Sequence, residues 1–134
     1  MQDDALTALI ESSDLDVADA WVADGRALLR FDVAAALPEN ALIDRVFLTL
    51  YQGSNNVTPS DVSLHRVLAD WGEGASFSGG GGGAPAEPDD ATWLHTFFPT
   101  LFWTTPGGDF SATASGSAVV DQIGFYTWAA PQMV

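Results

Sequence analysis

The chain has 134 residues, of which 47% are hydrophobic and 16% charged, enough apolar mass for one domain with a core and too much for a disordered polymer. Eighteen acidic residues stand against four arginines, for a formal net charge of −14, so nucleic acid, anionic lipid and acidic polysaccharide would find no basic footprint. The absence of cysteine excludes disulfides, thiolate metal sites and thiol catalysis.

The first 24 residues carry seven acids and no base, with Leu6, Leu9, Ile10, Leu15, Val17 and Trp21 between them. Neither a period of two nor one of 3.6 runs through this segment, although Leu6, Leu9 and Ile10 would suit one helical turn. From Ala27 the pattern is plain: Leu29, Phe31 and Val33 alternate with Leu28, Arg30 and Asp32, which predicts a half-buried strand. Pro38-Glu39-Asn40 turns the chain. Val46, Leu48 and Leu50 then alternate with Phe47, Thr49 and Tyr51, a strand apolar on both faces and therefore expected at the centre of a sheet. After the break at Gly53-Ser54-Asn55-Asn56, Val62 to Val67 predicts a third strand.

Asp70-Trp71-Gly72-Glu73-Gly74 leads into a loop over 75–90 with five consecutive glycines, Gly79 to Gly83. A phosphate-cradling loop needs glycines at fixed offsets before a helix, a context missing here, so the segment reads as a flexible excursion. Order resumes at Thr92 to Phe98, Pro106-Gly107-Gly108 turns the chain, and Ala118 to Trp128 predicts closing strands broken near Gly124. Strands at this spacing, with Gly, Pro and Asn turns and no amphipathic helix, predict a single all-β module over 1–134, an antiparallel β-sandwich or barrel.

Two blocks carry a resemblance. Arg26 to Val33, followed by Leu37 to Ile43 and Val46 to Leu50, resembles the opening of the DNRLRE-domain family, and Val62 to Val67 with Asp70 to Gly74 is similar to a second segment of it. Asp90 to Ala112 resembles an insertion found in one branch of that family. The resemblance covers roughly residues 26–128. It implies a jelly-roll-like β-sandwich from a large secreted bacterial protein, set beside neighbouring modules, with some relatives binding carbohydrate and calcium commonly associated. The family's pattern continues past Tyr126 to Val134, so the final strands are expected to be lacking. Localisation is expected to be extracellular, with the export signal outside this chain, because Met1-Gln2-Asp3-Asp4 has no basic start and no apolar run reaches the ~20 residues of a membrane helix.

The candidate sites divide by chemistry. Asp14, Asp16 and Asp19 offer hard oxygen ligands for calcium, without the glycine and distal glutamate of an EF-hand; solvent-facing acids are the plainer reading. Asp70 with Glu73 and Asp89 with Asp90 are paired carboxylates of the kind glycosidases use, but such pairs arise by chance among eighteen acids, and Asp70 is expected to make a loop contact. His65 and His95 are expected to be strand histidines with satisfied partners. With no nucleophile elbow and no metalloprotease motif, an enzyme is not expected.

Aromatic residues are the richer signal. They either build a sandwich core or present flat faces to a neutral polysaccharide. Trp71 and Trp103, in or beside turns, are the expected exposed pair, with Asp70 and Glu73 as hydrogen-bond partners. Two functions follow from this reading, a non-catalytic carbohydrate-binding module or a structural spacer or adhesion domain without a small ligand. A gene fragment with an unpaired sheet edge is a third.

Overall fold

A computed structural model describes residues 6–12, 25–33, 36–38, 40, 41–53, 58–77 and 83–129. The described part is all-β, without an α-helix, and its paired strands are antiparallel. Among the described residues no helix is long and apolar enough to cross a membrane, which says nothing of strands. The chain divides into two compact units: Met1–Arg66 with Ala112–Val134, and Val67–Ser111.

The first unit holds two sheets. Strands β1 (Leu6–Ser12), β2 (Gly25–Phe31), β4 (Ser60–Arg66) and β7 (Gly116–Val120) form a four-stranded sheet in the order β2-β1-β4-β7. Strands β3 (Phe47–Gln52) and β8 (Gly124–Ala129) form a two-stranded one. Alternation supplies the contact between them: Val62 and Leu64 of β4 and Trp128 of β8 are buried, with Leu48, Leu50, Ala118, Val120 and Tyr126 packed around them. The Trp128 indole N–H, buried with the rest of the ring, donates to the Val62 carbonyl at 2.9 Å, which answers the polar demand of a core tryptophan. Gly116 permits the approach of β8, since a Cβ there would stand 2.6 Å from the Ala129 carbonyl oxygen.

Two expectations change. The N-terminal segment contains a strand and not a helical turn: Leu6–Ser12 pairs with β2 on one side and β4 on the other. Its sequence lacks alternation because Leu9 and Ile10 are adjacent, so the hydrophobic period never shows. The expected central strand is β3, which pairs only with β8 among the described residues. Its outward residues Phe47 and Tyr51 are 60% and 58% exposed. Strands β2, β4, β7 and β8 fall within a few residues of where the sequence places them, and the break before Gly124 is the turn joining β7 to β8.

Candidate functional site

Asp70, Trp71, Glu73 and Trp103 all lie in the unit Val67–Ser111, together with Asp89, Asp90 and His95. This unit contains only the short strands β5 (His95–Phe97) and β6 (Leu101–Phe102), and backbone hydrogen bonds between loop segments do most of the joining. A bridge between Val67 and Phe110 and the Leu68 N–H to the Asp109 carbonyl, 2.8 Å, close its base. Gly72 is threaded between two segments, its N–H donating to Thr96 at 3.0 Å and its carbonyl accepting from Ala91 at 2.8 Å. Any side chain there would run into the Asp89 carbonyl and stand 2.8 Å from the Phe97 ring.

The carboxylates of this unit serve its backbone. Asp90 is buried, and its oxygens accept from the Glu87 N–H at 2.7 Å and the Ser76 N–H at 3.4 Å. Its own N–H returns a bond to the Glu87 carbonyl at 3.1 Å, so both ends of the glycine-rich loop are fastened at one residue. The Glu87 N–H first, then Ser76, holds the Asp90 carboxyl below the usual carboxylate range against the opposing effect of desolvation. Gly74, at φ +64°, leaves the space into which that carboxylate fits. Asp109 accepts from the Thr104 and Thr105 N–H groups at 2.8 and 2.9 Å, and the Thr104 bond leads in lowering its pKa. Asp70 makes the expected loop contact, accepting the Trp71 N–H at 2.9 Å, while Glu73 is exposed.

Trp71 and Trp103 correct the expectation of exposure: each keeps only 6% of its surface. Trp103 is held at both ends, its backbone N–H donating to Leu94 at 3.0 Å and its indole N–H to the Thr92 carbonyl at 2.8 Å. It follows β6 and precedes a turn, yet the ring is drawn inward, where its large apolar face is buried and its N–H finds the Thr92 carbonyl. Trp93 is 52% exposed. His95 stands between Phe102, ring centroids 4.3 Å apart, and the edge of Phe98 at 5.1 Å, with its Nδ1 2.9 Å from the Thr92 hydroxyl. His65 is buried in β4 with its Nε2 3.0 Å from the Ser63 hydroxyl. Both histidines therefore lie in strands and have hydroxyl partners.

Besides Trp93, Phe77 and Phe102 in this unit, exposed aromatic surface lies on the outer face of β3 and β8. Tyr51 and Phe125 face each other across the register with ring centroids 4.9 Å apart and planes tilted by 55°, and Phe125 is 76% exposed. Beside them the hydroxyls of Thr49 and Thr127 meet at 2.8 Å. Sequence reasoning favoured tryptophan over this tyrosine and phenylalanine. The available signal was the apolar character of both faces of β3, which a two-stranded sheet cannot bury twice. It weighed Asp90 only as half of a carboxylate pair and passed over Asp109, although an aspartate closing a glycine turn is a recurrent backbone acceptor.

Asp14, Asp16 and Asp19 lie outside the described residues. Among the described residues no three His, Asp or Glu side chains are grouped to hold a metal ion. Of the paired carboxylates, Asp90 is engaged with backbone donors and Glu73 faces solvent. What the arrangement can do is hold irregular loops rigid and present apolar surface. Comparison of the chain with protein-family models, with curated proteins and with solved structures finds no match in any of the three.

Proposed function

We propose that this chain is a non-catalytic module of a larger extracellular protein, akin to the DNRLRE modules, serving as a structural spacer or adhesion domain. The observation that supports this reading is the use of tryptophan: of the four in the described residues, Trp71, Trp103 and Trp128 are each at most 6% exposed and committed to cohesion, and Trp93 alone of the four is open. The carboxylates Asp90 and Asp109 agree, since each is spent on organising backbone. A chain of net charge −14 stays soluble and keeps apart from other acidic surfaces, as a spacer must.

Acrylamide quenching with and without a neutral polysaccharide tests the reading. In a variant carrying both Trp21→Phe and Trp93→Phe, the remaining emission, from Trp71, Trp103 and Trp128, should resist the quencher, and the polysaccharide should leave it unchanged. Strong quenching, with protection on adding polysaccharide, would sink the spacer.

One observation favours a second reading, the carbohydrate-binding module. The exposed Tyr51 and Phe125 rings, with the threonine hydroxyls beside them, offer apolar faces and hydrogen-bonding groups of the kind a neutral glycan uses. Retarded migration through a gel containing neutral polysaccharide, abolished in Tyr51→Ala, would establish it. The aspartates Asp14, Asp16 and Asp19 are the proposed calcium ligands in either case. Millimolar calcium should then raise the unfolding temperature above that in a chelator, because an ion bound only by the folded state stabilises it.

A further inference from the structure

Hydrogen bonds of the unit Val67–Ser111 converge on Thr92. Its N–H donates to the His95 carbonyl at 2.9 Å, and its carbonyl accepts the Trp103 indole N–H at 2.8 Å. Its hydroxyl oxygen accepts the backbone N–H of Leu94 at 3.2 Å and that of His95 at 3.0 Å, the local turn by which a threonine caps the residues that follow it. The same hydroxyl lies 2.9 Å from Nδ1 of His95.

A hydroxyl has one proton to give and two lone pairs to accept with. Both lone pairs of the Thr92 oxygen are taken by the Leu94 and His95 N–H groups, so what remains for Nδ1 is the hydroxyl proton. Nδ1 is the acceptor, and the neutral ring carries its own proton on Nε2. The ring is held in place by Phe102, with centroids 4.3 Å apart and planes tilted by 37°, and by the edge-on contact with Phe98 at 5.1 Å. No carboxylate bonds it: the acids of this unit are Asp70, Glu73, Glu87, Asp89, Asp90 and Asp109, and the partners of the ring are Thr92, Phe98 and Phe102.

We propose that His95 and Thr92 form a proton-operated latch, in which charging the imidazole releases the Leu94 N–H and loosens the turn that carries Trp93 and Leu94. The incoming proton goes to Nδ1, the ring nitrogen that lacks one, and turns it from acceptor to donor against an oxygen with no lone pair to spare. The aromatic contacts keep the ring where it is, because a positive charge beside an aromatic face is attracted to it, so the conflict is settled at Thr92. To accept Nδ1–H the oxygen gives up a backbone donor, and the longer of the two bonds, that of Leu94, is the weaker. Trp93 and Leu94 are 52% and 50% exposed, so the latch acts on open apolar surface. The loosening is local, since the bonds from Thr92 N–H and from the Trp103 indole do not use the hydroxyl, and the unit keeps its fold. Histidine changes charge between ~pH 5 and 8, whereas Asp90 and Asp109, held below the usual carboxylate range by backbone donors, answer to stronger acid. The inference concerns Val67–Ser111 and holds whether the module is a spacer or binds a glycan.

Nitrogen NMR of the isotope-labelled full chain, correlating ring protons with ring nitrogens, reads the tautomer, and at ~pH 8 His95 should show the Nε2–H form. As the pH is lowered, the protection of the Leu94 amide against hydrogen exchange, with the intrinsic pH dependence of exchange divided out, should fall ~10-fold in step with the His95 ring signals, while that of the Thr92 amide changes by less than ~2-fold. In His95→Phe, whose ring suits the place between Phe98 and Phe102 and takes no proton, Leu94 protection should stay constant over the same range. Three outcomes would overturn the proposal: a neutral ring with its proton on Nδ1, Leu94 protection that ignores the His95 titration, or a change at Leu94 that survives in His95→Phe and so belongs to a carboxylate or to His65. The first two are read on the unsubstituted chain and decide the matter even where the variant fails to fold.

Discussion

In the unit formed by Met1–Arg66 and Ala112–Val134, cohesion comes from apolar side chains meeting across two sheets; in Val67–Ser111 it comes from backbone groups meeting one another and two aspartates. The first arrangement is non-directional and scales with buried area, so it tolerates small displacements and punishes lost volume. The second is directional, and each donor left without its acceptor in a poorly solvated place costs the unmade bond. The units should therefore answer differently to the same kinds of insult, and Trp128 on one side with Trp71, Trp93 and Trp103 on the other supplies the reporters.

Removing volume gives the largest contrast. Trp128→Ala deletes the ring at the centre of the first unit and leaves the Val62 carbonyl without its indole donor, so a loss of about 3–5 kcal/mol is expected. Unfolding followed by calorimetry together with resolved amide signals should show β3, β4, β7 and β8 losing protection first. Equal loss throughout Val67–Ser111 would mean that the two units unfold as one.

Adding volume should strike the other unit. Gly72→Ala drives a methyl group into the Asp89 carbonyl and the Phe97 ring, which must shift, and overpacking of this sort costs about 1–3 kcal/mol. The bonds from Gly72 to Thr96 and from Ala91 to Gly72 should open first, seen as faster exchange at those amides, with β4 and β8 unaffected.

Acid should separate the two further. Asp90 and Asp109 both have folded-state pKa values below the ordinary 3.8, owing to the Glu87 and Thr104 backbone donors. A carboxyl lowered on folding contributes stability that is fully present above its unfolded value and is lost as pH falls through its folded value. Titration from pH 6 downward should leave Val67–Ser111 intact until about pH 3.8 and then weaken it selectively, whereas the packing of Val62, Leu64 and Trp128 contains no carboxylate. Asp90→Asn should shallow that acid limb. A limb of unchanged steepness in Asp90→Asn with Asp109→Asn would assign the transition to other acids.

The contrast also explains what was legible in the sequence. Strands β3, β4 and β8 could be read because a face that packs on another sheet imposes period two, and Leu48, Leu50, Val62 and Leu64 keep it. Strand β1 could not, because its adjacent Leu9 and Ile10 obey no single face. In Val67–Ser111 hydrogen bonding between segments far apart in sequence has no period, so the order of Thr92 to Phe98 was visible but the burial of Trp71 and Trp103 was not. A turn residue is ordinarily exposed; here the turn segments are fastened to one another, and the indoles become their filling. The composition announced many acids without announcing which two would organise backbone.

Tyr126 carries the smallest prediction and blurs the contrast most usefully, since it brings the polar mode into the apolar unit. Its ring packs against the cluster of Val62, Leu64 and Trp128, while its hydroxyl accepts from the Asp121 and Gln122 N–H groups at 3.1 and 3.0 Å. The single hydroxyl proton serves either the Asp121 carboxylate at 2.9 Å or the Gln122 carbonyl at 3.0 Å. Tyr126→Phe keeps the ring and frees the turn between β7 and β8. Because that turn is exposed, water replaces the lost partners, and the cost should lie near the lower end of about 0.5–1.5 kcal/mol. Exchange should quicken at Asp121 and Gln122 while Leu64 stays protected. A loss above about 2 kcal/mol would mean that the first unit depends on its closing turn as the second does on Asp90, because a solvated hydroxyl alone cannot account for that much.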